Sequence, residues 1–247
     1  MIVNLQSDGW EIIYHRAHAL LAGQIANARK QDDSVRIFDT IAAISHHDDL
    51  EREWSEDMLT PAGAPMDFTL EKKTPVKKLR QHIEDSLYRG RWVALLTSMH
   101  LCFINQSAKE ESKEIKDFIS EQEDLQQKWC KELEIDQKQA GAAYQFMKWC
   151  DRLSLILCQH QIPENQRTLE INQDADGKTY YVAQSEAGWL TVIPWCFAQD
   201  KFTVEVEASY LSQIEFTDNK SLIEALKVAP RKYLKWTFVK AELDELQ

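Results

Sequence analysis

Two hydrophobic periods divide the chain. From His15 to about His160 apolar residues recur three and four positions apart, which lines them up on one face of successive helices. His18 shares such a face with Leu21, Ala22 and Ile25. A second helix is predicted from Ser34, a capping residue, to about His47, on the repeat of Ile37, Ile41 and Ile44. Thr60–Pro65 predicts a loop, because two prolines bracket Gly63. A helix restarts after Thr74-Pro75 and ends at Gly90. Arg91–Ile104 follows with Trp92, Leu95, Leu96, Met99 and Phe103, and Lys109–Glu134 carries a stripe of Phe118, Gln122, Leu125 and Trp129. The last long helix runs from Gln137 to His160 and stops before Pro163.

Beyond Pro163 the period falls to two. Thr179–Ala183, Trp189–Ile193, Phe202–Ala208 and Tyr233–Val239 read as strands, Asp176-Gly177 as a hairpin turn, and Ser221–Val228 as one short helix. Met1–Tyr14 reads as one or two strands or an extended lead-in. The expected fold class is α+β, with an all-helical N-terminal two-thirds and a small antiparallel β-rich C-terminal layer, divided as residues 1–162 and 163–247.

Composition narrows the function. With 44% hydrophobic residues, eight Trp and nine Phe, a chain of 247 residues builds a sufficient core without disulfides or a structural metal, so a metal here would serve chemistry. The formal net charge of -11 argues against a general grip on nucleic acid. The N-terminus lacks the features of a signal peptide, no apolar run reaches the roughly 18 residues of a membrane span, and the five cysteines include no CxxC pair. The expectation is a cytoplasmic protein with reduced thiols.

The residues that carry chemistry are histidines and aspartates on apolar helices. His46-His47-Asp48-Asp49 ends a helix right behind the apolar Ile41-Ala-Ala-Ile44, with Ser45 between, and His100 closes the apolar run from Trp92. Asp151 sits in Phe146-Met-Lys-Trp-Cys-Asp-Arg-Leu-Ser-Leu-Ile-Leu157, where a buried carboxylate needs a partner or a cation. Imidazole with carboxylate is the donor mix that divalent first-row metals favour. Glu-x-x-His, His-Glu-x-x-His, Walker, GxGxxG and Gly-x-Ser-x-Gly signatures are all absent.

The order His18, His47-Asp48, His100, Asp151 resembles the His-Asp (HD) domain superfamily of metal-dependent phosphohydrolases, although the Gly often found after the doublet is replaced by Asp49-Leu50. That resemblance implies an HD-domain-like helical part and a site of His18, His47, Asp48, His100 and Asp151 holding one or two ions of Fe, Mn, Zn, Ni or Co. An ion there lowers the pKa of water for attack on a phosphoester or anhydride. Asp49 and His46 are then the candidate proton carriers, and Lys148, Tyr144 and Trp54 the candidate contacts to a small phosphorylated or nucleotide substrate. The loop from Asp57 to Phe68 is placed to cover the mouth. Over nearly its full length the chain also resembles an uncharacterised bacterial family of unknown function, through His18–Ala26, His47-Asp48-Asp49, Glu53-Trp54, Gly63–Phe68, Ser98-Met-His100, Trp149–Leu155 and Pro194-Trp-Cys-Phe197. Two other classes stay open: a non-catalytic metal-binding or regulatory module, and a di-iron oxygenase. Self-association is left open, and no membrane partner is expected.

Overall fold

The computed structural model describes residues 1–30, 36–50, 58–70 and 74–241. The calls on the Ser34 cap, on Glu53-Trp54 and on Asp57 lie outside the described residues. The chain opens with a hairpin, β1 (Ile2–Gln6) and β2 (Gly9–Ile13), and passes through Tyr14 into α1 (His15–Ala28). Helices α2 (Ile37–His46), α3 (Val76–Leu87), α4 (Arg91–Ile104), α5 (Lys113–Glu132) and α6 (Gln137–Cys158) follow. The fifth begins at Lys113 rather than Lys109 because the Ser112 hydroxyl caps it, accepting from the Ile115 amide. Asp136 and Gln139 form a capping box that starts α6 at the expected residue.

Strands β3 (Leu169–Gln173), β4 (Thr179–Gln184), β5 (Leu190–Ile193) and β6 (Lys201–Leu211) come next, then α7 (Asn219–Val228) and β7 (Arg231–Val239). Among the described residues the seven strands form one sheet in the order β1-β2-β6-β7-β5-β4-β3. This corrects the expected fold class in three ways. The N-terminal hairpin belongs to the sheet, since β2 pairs antiparallel with the far end of β6 (Ile12 opposite Ser209). The sheet is mixed rather than antiparallel, because β5 runs parallel to β7. Helices are not confined to the first two-thirds, because α7 lies between β6 and β7.

The reason is the alternation in the hairpin. Ile2 and Ile13, paired across it, join the main core, whereas Ile12 on the opposite face joins a second cluster with Leu211, Phe216, Leu222 and Leu226. A strand apolar on both faces needs cover on both, and α7 supplies the second. The main core runs without a break from Ile2 through Leu95, Phe118 and Trp149 to Val204 and Phe238. Along β6 and β7 the outer face is instead a polar ladder of Thr203–Thr237 and Glu205–Lys235.

Two packing facts fix the site. Helix α1 lies against both α2 and α6, and α4 lies against the same two. Gly23 lets α1 approach α2 closely, since a Cβ there would run into the Ser45 hydroxyl. No helix among the described residues is long and apolar enough to cross a membrane.

Candidate metal centre

Each of the four packed helices contributes to one pocket. His15 and His18 come from the first turns of α1, and His47 and Asp48 from the turn that ends α2; His100 comes from α4 and Asp151 from the middle of α6. Donor atoms of His18, His47 and Asp48 lie within 4.8 Å of one another, and so do those of His47, His100 and Asp151. His18 Nε2 is 2.6 Å from Asp48 Oδ2, and His47 Nε2 is 3.2 Å from Asp151 Oδ1 and 3.6 Å from Asp48 Oδ2.

Hydrogen bonds behind the rings set which nitrogen is free. The Ile44 carbonyl can only accept, so the 2.6 Å contact from His47 Nδ1 puts the proton on Nδ1. Ser154 Oγ spends its one proton on the Asp151 carbonyl (2.8 Å), so it accepts from His18 Nδ1 at 2.9 Å. In the neutral form of each ring Nε2 is therefore the nitrogen whose lone pair faces a carboxylate. Two lone pairs aimed at two carboxylates repel unless a cation, a proton or a metal ion, lies between them. His82 steadies the turn from outside by donating from Nε2 to the His47 carbonyl (3.1 Å).

The electrostatics say the same. Burial by itself favours a neutral His47, but Asp48 and Asp151 outweigh it and push its pKa up. Burial would raise the Asp48 and Asp151 carboxyls, yet His47, helped by His18, holds both below the ordinary range. His100 behaves differently: burial, with His47 beside it, pushes it down to about 4, so at neutral pH it offers a lone pair. His18 and His47 are buried, whereas Asp48 and Asp151 keep 21% and 17% of their side chains exposed, so the pocket opens on its carboxylate side.

Beyond the carboxylates, α4 and α6 carry a second set. His100 Nδ1 and the Tyr144 hydroxyl are buried without a hydrogen-bond partner among the described residues, in residues only 4% and 8% exposed, with ring centroids 6.3 Å apart. Burial, reinforced by Asp151, raises the Tyr144 pKa and keeps the phenol a donor. Lys148 stands over Phe103 and the edge of this set, its Nζ 4.0 Å from the Phe103 ring centroid and 5.9 Å from that of Tyr144. Phe103, placed on the apolar face of its helix by spacing, is half exposed here.

The remaining candidates fall elsewhere. His46 and Asp49 stand outside the two donor groups and bond each other, Nδ1 to Oδ2 at 3.0 Å. Asp49 also takes Arg16 and Arg89. Trp54 lies outside the described residues. Gln122, which the sequence placed on a buried stripe, accepts from Ser98, and Glu121 pairs with Arg80 at the surface. At the mouth, Phe68 stands edge-on to His15, with centroids 4.9 Å apart.

Sequence reasoning missed His15, whose Nδ1 is 3.9 Å from Asp48 Oδ2, and Ser154. Both carried a readable signal, since His15 sits three residues before His18 and Ser154 three after Asp151, each on the ligand's own helical face. His82, Arg16 and Arg89 carried none.

Residues 1–213 match the family described as "Protein of unknown function (DUF3891)", and the chain belongs to that family. No curated protein and no solved structure matches the chain.

Proposed function

We propose that the chain is a metal-dependent hydrolase of a small phosphorylated molecule, with one divalent transition ion held by His18, His47, Asp48 and Asp151. The observation that supports it is the pair of imidazole Nε2 atoms, each ring fixed by a hydrogen bond behind it and each Nε2 aimed at a part-buried carboxylate, a set that needs a cation. His47 Nε2 lies 3.6 Å from Asp48 and 3.2 Å from Asp151, which belong to different donor groups, and a neutral imidazole has a single lone pair there, so the set fits one ion rather than two. The ligand order matching the His-Asp superfamily supports the same reading. When bound, such an ion supplies Lewis acidity and makes water a nucleophile near neutral pH.

The protein's own groups do the rest. His100 completes the donor set or meets the substrate with a lone pair. The Tyr144 hydroxyl, a donor without a partner, orients a substrate oxygen, and Lys148 beside it neutralises charge on the phosphoryl group. His46, part exposed and oriented by Asp49, exchanges protons between the mouth and solvent. Phe68 and His15 close one wall and limit water.

Elemental analysis of the purified protein tests the foundation. The expectation is about one transition ion per chain, lost in His47→Ala and Asp48→Ala. A wild-type protein that takes up no stoichiometric metal even after incubation with Mn, Fe, Co, Ni or Zn ends the proposal. A phosphoester screen on the metal-loaded protein then separates hydrolase from binding module; metal without turnover leaves the module.

A further inference from the structure

We infer that Arg16 and Arg89 form the anion-receiving rim of this site, with Asp49 as the carboxylate that holds both guanidinium groups ready for a phosphate. The inference rests on the reading of the pocket as one that acts on a phosphorylated molecule, and it names residues that neither the ligand order nor the Tyr144–Lys148 pair includes.

The two arginines come from different elements and converge on one residue. Arg16, in the first turn of α1, reaches Asp49 Oδ1 with Nε at 3.5 Å and the Asp49 carbonyl with Nη2 at 3.3 Å. Arg89, just past the end of α3, reaches Asp49 Oδ2 with Nη2 at 3.5 Å. Asp49 directly follows the ligand Asp48, and Arg16 directly follows His15, which itself lies against Asp48. The rim therefore adjoins the side on which the carboxylates are exposed.

Donor count supports a receiving role. Two guanidinium groups offer ten N–H donors between them, and all the contacts they make to Asp49 are long. Both side chains keep solvent access, at 45% and 37% exposed, so the spare donors face water. At Asp49 two guanidinium groups meet one carboxylate, while the neighbouring Asp48 and Asp151 carboxylates face histidines, so the two arginines are not neutralised in full by Asp49. A phosphate monoester carries more negative charge than one carboxylate and offers three acceptor oxygens, and the planar forks of arginine match it bidentately. Asp49 is thus a positioning residue, keeping two flexible cations at the mouth until an anion takes over their free donors.

The test is calorimetric titration of inorganic phosphate into the full chain at low ionic strength, with metal content measured on every sample. Arg16→Gln with Arg89→Gln is expected to weaken phosphate binding about tenfold or more while metal content matches wild type. Arg16→Lys and Arg89→Lys, which keep the charge and lose the fork, are expected to fall between, and they carry the test should the double variant not fold. Unchanged affinity with metal in place overturns the rim, as does wild-type protein that binds no phosphate. Loss of metal together with phosphate binding also overturns it, because the arginines would then only support the pocket. If wild type holds no metal, the hydrolase reading fails by itself. The same titration still decides the rim, by whether binding without metal depends on the two arginines.

Discussion

Two clusters of ionisable groups lie along the same helix, one past its C-terminal end and one at its middle, and they are built on different terms. At the end of α6, where it meets the N-terminal hairpin, Glu11 is buried in β2 and both of its oxygens are used. Oε1 accepts from His160 Nε2 at 2.6 Å and Asn4 Nδ2 at 3.0 Å, and Oε2 accepts from the Tyr210 hydroxyl at 2.8 Å. Asn4 also donates to the Cys158 carbonyl, stitching the helix end to the sheet. In the middle of α6 the Asp151 cluster has the opposite character: two ring nitrogens face two carboxylates, a set that needs a cation between them, and His100 Nδ1 and the Tyr144 hydroxyl have no hydrogen-bond partner among the described residues. A cluster with every donor and acceptor matched is finished as a structure, whereas one that keeps unmet capacity after folding could still hold a metal ion.

Metal separates the two most sharply. At an ion concentration about a hundredfold above Kd, binding stabilises the folded chain by about 2.7 kcal/mol. For a domain of this size that raises the Tm by roughly 5–10 °C. Asp151→Asn is expected to abolish that rise, and Glu11→Gln to leave it intact. Thermal melts of both variants with and without metal check the contrast, and a rise that survives in Asp151→Asn would remove the pocket from the comparison.

Next in size is the stability of the finished cluster. Glu11→Ala strips the acceptor from His160, Asn4 and Tyr210 at once, with an expected loss of about 2–3 kcal/mol. Urea denaturation measures it, and metal content should not change. A loss below about 0.5 kcal/mol would mean that the seam contributes little and that matched bonding there is incidental.

Ser154 sharpens the comparison from the other side. Its hydroxyl is what makes His18 carry its proton on Nδ1. In Ser154→Ala that proton can move to Nε2 and donate to Asp48, closing the site to a cation. Metal affinity is expected to fall about 10–100-fold, as for other residues that orient a ligand from behind. Competition with a chelator of known affinity reads this, and an unchanged affinity would show that the tautomer is set by something else.

How much of this was legible follows from the range of the interactions. Helices carrying His18, His47-Asp48, His100 and Asp151 could be read because each candidate ligand stands at helical spacing from apolar neighbours, a local pattern. His15 and Ser154 were equally local, but each looked like an ordinary polar residue until its partner was known. The pairing of β2 with β6 spans almost two hundred positions, and nothing near Ile12 and Ile13 announces which strand they meet. The parallel contact of β5 with β7 is hidden for the same reason: Leu190 stands opposite Phe238, and the period-two pattern of a strand is silent about its neighbour's direction. Arg89 reaches Asp49 only because α3 packs beside the turn that follows α2, a tertiary fact. Glu11, one polar residue in an apolar strand, gave no sign of its three partners.

The smallest expected effect is the pH dependence of the Glu11–His160 contact. The hydrogen bond to Glu11 raises the His160 pKa, against a lesser opposing effect of burial, and the Glu11 charge raises it further. Burial pushes the Glu11 carboxyl up, but the bonds from His160, Tyr210 and Asn4 together bring it below its ordinary 4.5. A raised histidine pKa contributes stability that is complete below the unfolded value of 6.5 and is lost as pH rises through the folded value. A lowered carboxyl pKa contributes stability that is complete above 4.5 and is lost as pH falls through the folded value. The contact is therefore at full strength between 4.5 and 6.5, and weakens on the alkaline side first as His160 gives up its proton. Because His160 is half exposed, solvent screens the pair and its worth is about 1 kcal/mol or less. Urea midpoints of wild type and His160→Gln across that range should differ most inside the window and converge above it. A difference that grows with rising pH would reverse the sign and show that His160 is held there neutral, as a hydrogen-bond donor and not as a cation.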